Sequence, residues 1–116
     1  METLAQRYDN QRIIVLTHLT ELIELKTCTK ASASEIKRVR DKFEEVLGAL
    51  TALNRPVDQW DDVLIALLLH KLDSRTRREW EIEIKDITDV PQYDTLDHFV
   101  LGQIRAFDVY DQAVSR

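Results

Sequence analysis

Histidine and cysteine are the residue types in this sequence with the widest chemical range, since they bind metals, transfer protons and attack electrophiles. The three histidines are His18, His70 and His98, and none has a second His or Cys three or four positions away. A zinc site needs several converging ligands, and a single cysteine cannot supply a Cys-x-x-Cys pair. Cys28, the one cysteine, lies in a predicted linker without an evident base beside it. We therefore expect no metal site, no cofactor and no nucleophilic cysteine.

Paired carboxylates are the next candidates, because aspartate and glutamate serve as general acids and bases. Two adjacent pairs occur, Asp61–Asp62 and Glu44–Glu45. Both fall in predicted helices, where neighbouring side chains point about 100° apart, so the carboxylates of one pair do not converge on one substrate. The sequence also lacks a P-loop, a Gly-x-Gly-x-x-Gly motif and a nucleophile elbow. We expect that the protein is not an enzyme.

A basic cluster beside an aromatic residue raises the question of nucleic-acid binding. Arg75, Arg77 and Arg78 precede Trp80, and arginines with an aromatic ring can hold a nucleic-acid strand. Three glutamates alternate with this cluster and would oppose the approach of phosphates: Glu79, Glu81 and Glu83. The chain carries 16 Lys and Arg against 21 Asp and Glu, a net charge of −5, which also disfavours phosphate binding. We favour a charge-balanced helix and expect no direct nucleic-acid binding in this segment.

Length and composition limit the fold that positions these residues. A chain of 116 residues is the size of one domain, with an expected radius of gyration of about 13 Å. Two glycines and two prolines are too few for the turns of a β-sandwich or the loops of an α/β enzyme. The longest apolar stretch, residues 63–69, is too short to span a bilayer, and one cysteine fits a reducing compartment. We expect an all-α, cytoplasmic protein without membrane contact.

Apolar periodicity and helix-ending residues divide the chain into elements. In chain order these are a short helix at 3–8, a helix at 10–25, a linker at 26–33, a helix that begins at the capping box Ser32–Glu35 and ends at Asn54–Pro56, helices at 58–72 and 75–85, a loop at 86–92, and a final helix from 94 or 95. The apolar stripe of the 10–25 helix contains Ile13, Leu16, Leu19 or Thr20, and Ile23, and it is widened by Ile14, Leu22 and Leu25. Trp80, Ile82 and Ile84 alternate as in a strand, so a strand stays the alternative at 75–85. The predicted N-caps of the helices at 58–72 and 75–85 are Asp58 and either Asp73 or Ser74.

The predicted helix at 58–72 is apolar on nearly every side. One stripe contains Trp60, Leu64, Leu67 and Leu68, and the other side carries Val63, Ala66 and Leu69. A helix of this kind must be buried on both sides, and a small domain has little interior in which to enclose a whole helix. The side that carries Val63 and Ala66 is therefore a candidate interface.

Two stretches of the sequence resemble a known family. Gln6-Arg7-Tyr8-Asp9-Asn10 followed by Arg12-Ile13-Ile14 is similar to the Arg-Tyr-Gly-Asn-Pro-x-x-Ile-Ile stretch of Gag polyproteins from BEL/Pao-type LTR retrotransposons. Leu67-Leu68-Leu69-His70-Lys71-Leu72 with Arg77, Glu79, Trp80 and Glu81 is similar to their Leu-Leu-x-x-Lys-Leu-Pro-x-x-x-Arg-x-x-Trp-Glu stretch. The resemblance spans about residues 4–107.

This resemblance implies the C-terminal lobe of a capsid-type Gag domain, a compact bundle of about five helices like the retroviral capsid C-terminal domain, preceded by a short helix. Residues 1–27 would be a leading helical segment and linker from a missing N-terminal lobe, packed on the lobe, and residues 28–116 would be the lobe itself. The resemblance also implies a homology-region-like core in the first helix of the lobe. Its members would be Ile36, Val39, Lys42 and Phe43, with Lys42 at the family's arginine position.

In such lobes the next helix often supplies a two-fold dimer contact, which here implies the helix at 58–72. The dimer interface would consist of Gln59, Asp62, Val63, Ala66 and His70. Val63 and Ala66 suit a close helix approach, and the three polar residues would form a rim. Protonation of His70 at mildly acid pH would place like charges near the axis. The implied function is homodimerisation and assembly of a capsid shell in intracellular particles.

Two other classes of function stay open at this point. A domesticated Gag-derived module would bind partner peptides in a groove and would be monomeric. A helical nucleic-acid-binding domain would bind RNA with a steep salt dependence, which the net charge of −5 disfavours.

Overall fold

The computed structural model of the chain describes the backbone of residues 4–114 and the side chains of residues 10–110. Within that part it contains five α-helices, one 3-10 turn and no β-strand. In chain order the elements are α1 (Leu4–Ile23), α2 (Ala33–Ala52), the 3-10 turn (Val57–Gln59), α3 (Asp61–Lys71), α4 (Ser74–Glu83) and α5 (Tyr93–Val114). The all-α prediction is confirmed.

The first helix differs from the prediction in its length. The sequence predicted a short helix at 3–8 and a second at 10–25, but the backbone forms one continuous helix from Leu4 to Ile23. Asp9 and Asn10 are not strong helix breakers such as glycine or proline. In the interior of a helix, aspartate and asparagine lower its stability by only about 0.7 kcal/mol each relative to alanine. The hydrogen-bond ladder therefore continues through both residues.

The buried face of α1 also differs from the predicted stripe. Ile13, Leu16 and Ile23, three members of that stripe, are all exposed. Leu22, which widens the predicted stripe, is fully buried, and Leu19 is half-buried together with Val15, which the prediction did not include. The apolar residues of α1 are numerous enough to form two overlapping helical stripes. Packing against α2 decides which of the two is covered.

The core of the bundle is built around α2. Ser32 caps this helix, because its Oγ accepts a hydrogen bond from the Glu35 N–H at 3.2 Å, while the Glu35 carboxylate contacts Arg38 at 3.3 Å. The helix ends before Asn54, whose φ of 62° lies in the left-handed region that asparagine tolerates. The inward face of α2 packs against α1, α3 and α5, and α4 packs against α5. The fully buried apolar members of this core are Leu22, Ile36, Val39, Phe43, Val46, Leu50, Leu68, Leu72, Trp80, Leu96 and Val100.

The segment from 57 to 83 begins differently from the prediction. Asp58 lies in the 3-10 turn and does not cap α3, which begins at Asp61 after Trp60, a residue that makes no side-chain cap. Asp73 does cap α4, since its carboxylate accepts the Thr76 N–H at 2.9 Å and the Thr76 hydroxyl at 2.6 Å. The cap begins a helix, so the alternative prediction of a strand at 75–85, based on the alternation of Trp80, Ile82 and Ile84, is wrong.

The first and the last helix, α1 and α5, extend past the bundle. The radius of gyration is 16.9 Å, above the value of about 13 Å typical of this length. α1 and α5 have 20 and 22 residues, so each is about 30 Å long. Exposed apolar side chains lie in the middle of α1, at Ile13 and Ile14, and near the end of α5, at Val109 and Tyr110. None of the helices between residues 4 and 114 combines the length and apolar character that a bilayer crossing needs.

Candidate functional site

The outward face of α3 and the preceding turn carries the predicted interface residues. Its members are Gln59, Asp62, Val63, Ala66 and His70, and all five are exposed. Val63 is the largest apolar member, and 66% of its surface is accessible. The inward face of α3 contributes Leu64, Ile65 and Leu68 to the core. The described part of the chain therefore leaves this face uncovered.

The outward face is smaller than the sequence predicted. Leu69 was placed on the same side as Val63 and Ala66, but it packs against the core and is half-buried. Six residues separate Leu69 from Val63, which puts the two side chains about 120° apart on a helix. The outward face is thus a narrow apolar strip of Val63 and Ala66, with Asp62 and His70 beside it.

The homology-region-like residues divide into a buried group and an ion-paired lysine. Ile36, Val39 and Phe43 are fully buried on the inward face of α2. The Lys42 ammonium lies 2.7 Å from a Glu21 carboxylate oxygen and 2.8 Å from one of Glu45. The hydrogen bonds to these two carboxylates raise the pKa of Lys42 above its usual value. Lys42 therefore connects α1 to α2 at the surface and takes no part in the core.

A second ion pair, which the sequence did not indicate, connects α2 to α5. The Arg40 guanidinium donates to both carboxylate oxygens of Asp97, at 2.9 and 3.1 Å. Glu44 lies four positions after Arg40 on the same helix, which is the spacing of a helical ion pair, but its carboxylate is farther away at 3.6 Å. The hydrogen bonds to Asp97 raise the pKa of Arg40, and burial raises the pKa of Glu44. No local spacing could have found Asp97, because 57 positions separate it from Arg40.

The basic cluster of α4 does not have an aromatic ring available for stacking. Trp80 is 1% exposed and packs against Phe99, with ring centroids 5.4 Å apart at 59°. The Arg75 guanidinium lies 5.6 Å from the centroid of Phe107, on α5. The aromatic ring that would stack on a base thus belongs to the core, and one arginine of the cluster covers an aromatic ring of its own chain.

The three histidines lie in separate places. His18 on α1 is half-buried, 3.4 Å from Glu21, while His98 on α5 is within 3.0 Å of the Asp94 carbonyl oxygen. His70 is on the outward face of α3. Among the described side chains, no three His, Cys, Asp or Glu residues form a group with the geometry of a metal site.

Cys28 is part of the packing between the linker and the end of α3. Its N–H donates to the Lys71 carbonyl oxygen at 2.8 Å, and its thiol donates to the Glu35 carbonyl oxygen at 3.5 Å. Burial, followed by the nearby charges of Asp73 and Glu35, raises the pKa of the Cys28 thiol to about 11. A thiol with this pKa stays protonated at neutral pH and is a poor nucleophile.

Alkylation of Cys28 is expected to be slow in the folded protein. At pH 8 a thiol of pKa about 11 holds about 100-fold less thiolate than one at the ordinary value of 9.0. Iodoacetamide at pH 8, followed by intact mass spectrometry, should label the urea-unfolded chain at least 100-fold faster than the folded chain. Equal labelling rates would contradict the buried position of the thiol.

Comparisons with known proteins place the chain in a family. No curated protein and no solved structure matches this chain. Residues 1–89 match the family described as "Protein of unknown function (DUF1759)". This match includes α1 to α4 and more than half of the chain. The chain therefore belongs to the DUF1759 family, a family of retrotransposon Gag-related proteins.

Proposed function

We propose that this chain is a structural self-assembly domain, the capsid-type C-terminal lobe of a Gag polyprotein from a BEL/Pao-type retrotransposon. It homodimerises through the outward face of α3 and contributes to a capsid shell. The observation that carries the proposal is the exposure of Val63, 66% accessible on a helix whose other large apolar residues pack against the core. Membership of a Gag-related family supports it. The proposed function requires no catalytic step, no cofactor and no direct nucleic-acid contact.

A two-fold contact suits the composition of this face. Two copies related by a two-fold axis present the same patch to each other, so the patch must complement itself. Val63 and Ala66 are small, which lets two α3 helices approach to about 8 Å. Asp62 and His70 lie at the edge of the strip, where they stay hydrated in the dimer.

The size of the face predicts a weak contact. A strip with two small apolar residues buries roughly 400–600 Å² on each copy, at the low end of specific interfaces. Weak contacts are suited to shells, because many form at once and wrongly placed copies can dissociate. A dimer with a dissociation constant in the micromolar range or weaker is therefore expected.

Val63→Asp is expected to remove the α3 contact, and so to weaken self-association at least 10-fold, and to leave the fold intact. The new carboxylate would face its own copy across the two-fold axis and would lose hydration without a partner. Because Val63 is exposed, the free energy of unfolding should change by less than about 0.5 kcal/mol. Sedimentation velocity across concentration measures the dimer, and circular dichroism measures the helicity.

Val109→Asp is the matched control, since Val109 is 67% exposed on α5 and receives the same new charge. The control should dimerise like the parent chain. The proposed interface is wrong if the Val63 variant associates as strongly as the Val109 variant, or if the parent chain stays monomeric at millimolar concentration.

A further inference from the structure

A cleft between the exposed half of α1 and the end of α2 has an apolar floor and two cations at its edge. Its volume is about 570 Å³, and its lining residues are Gln11, Arg12, Val15, Leu16 and Arg55. Val15 is half-buried and Leu16 is exposed. Neither Arg12 nor Arg55 forms an ion pair with another described side chain. The charged residues that line the cleft are both arginines, so the cleft is basic although the chain as a whole has a net charge of −5.

The lining residues define the chemistry of what the cleft would bind. Val15 and Leu16 favour apolar side chains, since burial of their surface is favourable by about 25 cal/mol per Å². Arg12 and Arg55 favour carboxylates, which guanidinium groups bind through paired hydrogen bonds. The suitable ligand is therefore a segment in which apolar and acidic residues alternate closely.

The chain itself contains such a segment at residues 81–90, which joins the end of α4 to α5. Its exposed apolar residues are Ile82, Ile87 and Val90. Four exposed acidic residues lie among them, Glu81, Glu83, Asp86 and Asp89. Lys85 is the one basic residue of the segment. No residue of the segment lines the cleft of its own chain. Ile84 packs against the core, and the other apolar and acidic side chains of the segment are exposed to solvent within the described residues.

We propose that the cleft of one copy binds the 81–90 segment of a second copy, as an assembly contact separate from α3. This inference rests on the proposed function, since it presumes that copies of the chain assemble. Charge complementarity between the arginine edge and the acidic segment selects a second copy as the occupant. The contact joins two different patches and uses no residue of the α3 face. Each copy can therefore have further neighbours in addition to its α3 partner, as a shell requires.

Charge reversal in the Val63→Asp background tests the contact without the α3 interface. The cleft variant carries Arg12→Glu and Arg55→Glu, and the segment variant carries Asp86→Lys and Asp89→Lys. All four positions are exposed, so the fold should be retained. In sedimentation velocity at 50 mM NaCl, each variant should associate at least 10-fold more weakly than the background protein.

Restoration distinguishes a specific contact from a general effect of charge. A chain with all four reversals, or a 1:1 mixture of the two variants, should regain the association of the background protein, because opposite charges face each other again. The matched control, Lys30→Glu with Arg105→Glu, changes the net charge as the cleft variant does at exposed sites outside the cleft. It should associate like the background protein. At 500 mM NaCl the association should weaken, since salt screens exposed charges.

Several results would overturn the proposed contact. The first is a background protein that stays monomeric at millimolar concentration and 50 mM NaCl. The second is unchanged association in either reversed variant, and the third is a failure of the four-fold variant and the mixture to restore it. Failure of the α3 interface is detected separately, by comparing Val63→Asp with Val109→Asp in the otherwise unaltered chain.

Discussion

Trp80→Ala is expected to lower the free energy of unfolding by about 3–5 kcal/mol, the usual cost of truncating a buried aromatic residue. Trp80 is 1% exposed and fills the space between α4 and α5, with its ring 5.4 Å from that of Phe99. Its removal leaves a cavity that the helices cannot close without losing other contacts. Domains of this size have stabilities of about 5–15 kcal/mol, so the variant should be close to unfolding at room temperature.

Urea unfolding followed by circular dichroism measures this loss. Trp60, the other tryptophan, stays as a fluorescence probe of the same transition. Ile82→Ala is the matched control in the same helix, because Ile82 is exposed and its truncation should cost less than about 0.5 kcal/mol. Similar losses for the two variants would contradict the packing of α4 through Trp80.

Asp97→Ala is expected to lower the free energy of unfolding by about 1–3 kcal/mol. The substitution removes the carboxylate that binds the partly buried Arg40 guanidinium through two hydrogen bonds. The side chains of Arg40 and Asp97 are only 21% and 15% exposed, so water replaces the lost hydrogen bonds poorly. Glu44 and Asp41 lie 3.6 and 3.7 Å from Arg40 and retain part of the attraction. The loss should therefore fall short of that for a fully buried pair.

A double-mutant cycle isolates the contribution of this pair. Arg40→Ala, Asp97→Ala and the double variant should give a coupling free energy of about 1 kcal/mol or more. Lys37 and Asp41 provide the control pair, with a shorter contact of 2.8 Å but side chains that are 63% and 48% exposed. Their coupling should be below about 0.5 kcal/mol, because exposed pairs contribute little. Equal coupling in the two cycles would contradict the role of burial.

Helix ends were the best-predicted features of this fold, because their signals are local. Ser32 and Asp73 each accept a backbone N–H three residues later. The sequence predicted Ser32 as an N-cap and gave Asp73 as one of two candidates, with Ser74. The stop at Asn54 and Pro56 was equally visible, since asparagine tolerates a positive φ and proline does not continue a helix. Asp58 failed as a cap because the chain makes a 3-10 turn first.

The choice between alternative faces was the main failure, because it depends on neighbours far along the chain. Ile13 and Leu16 are three positions apart and Val15 and Leu19 are four apart, and both spacings place a pair on one face of a helix. Only the position of α2 decides which pair is covered. Leu69 turned inward for the same reason, which reduced the outward face of α3 to a narrow strip.

The sequence by itself determined that the chain is helical and where most of its helices begin and end, because these features follow from capping groups and periodicity within one segment. The tertiary structure decided the covered face of α1, the Arg40–Asp97 pair between α2 and α5, and the placement of Trp80 in the core. It also decided that Val63 stays exposed and that Arg12 and Arg55 line one cleft. These outcomes depend on side chains tens of positions apart, whose approach is set by the packing of whole helices.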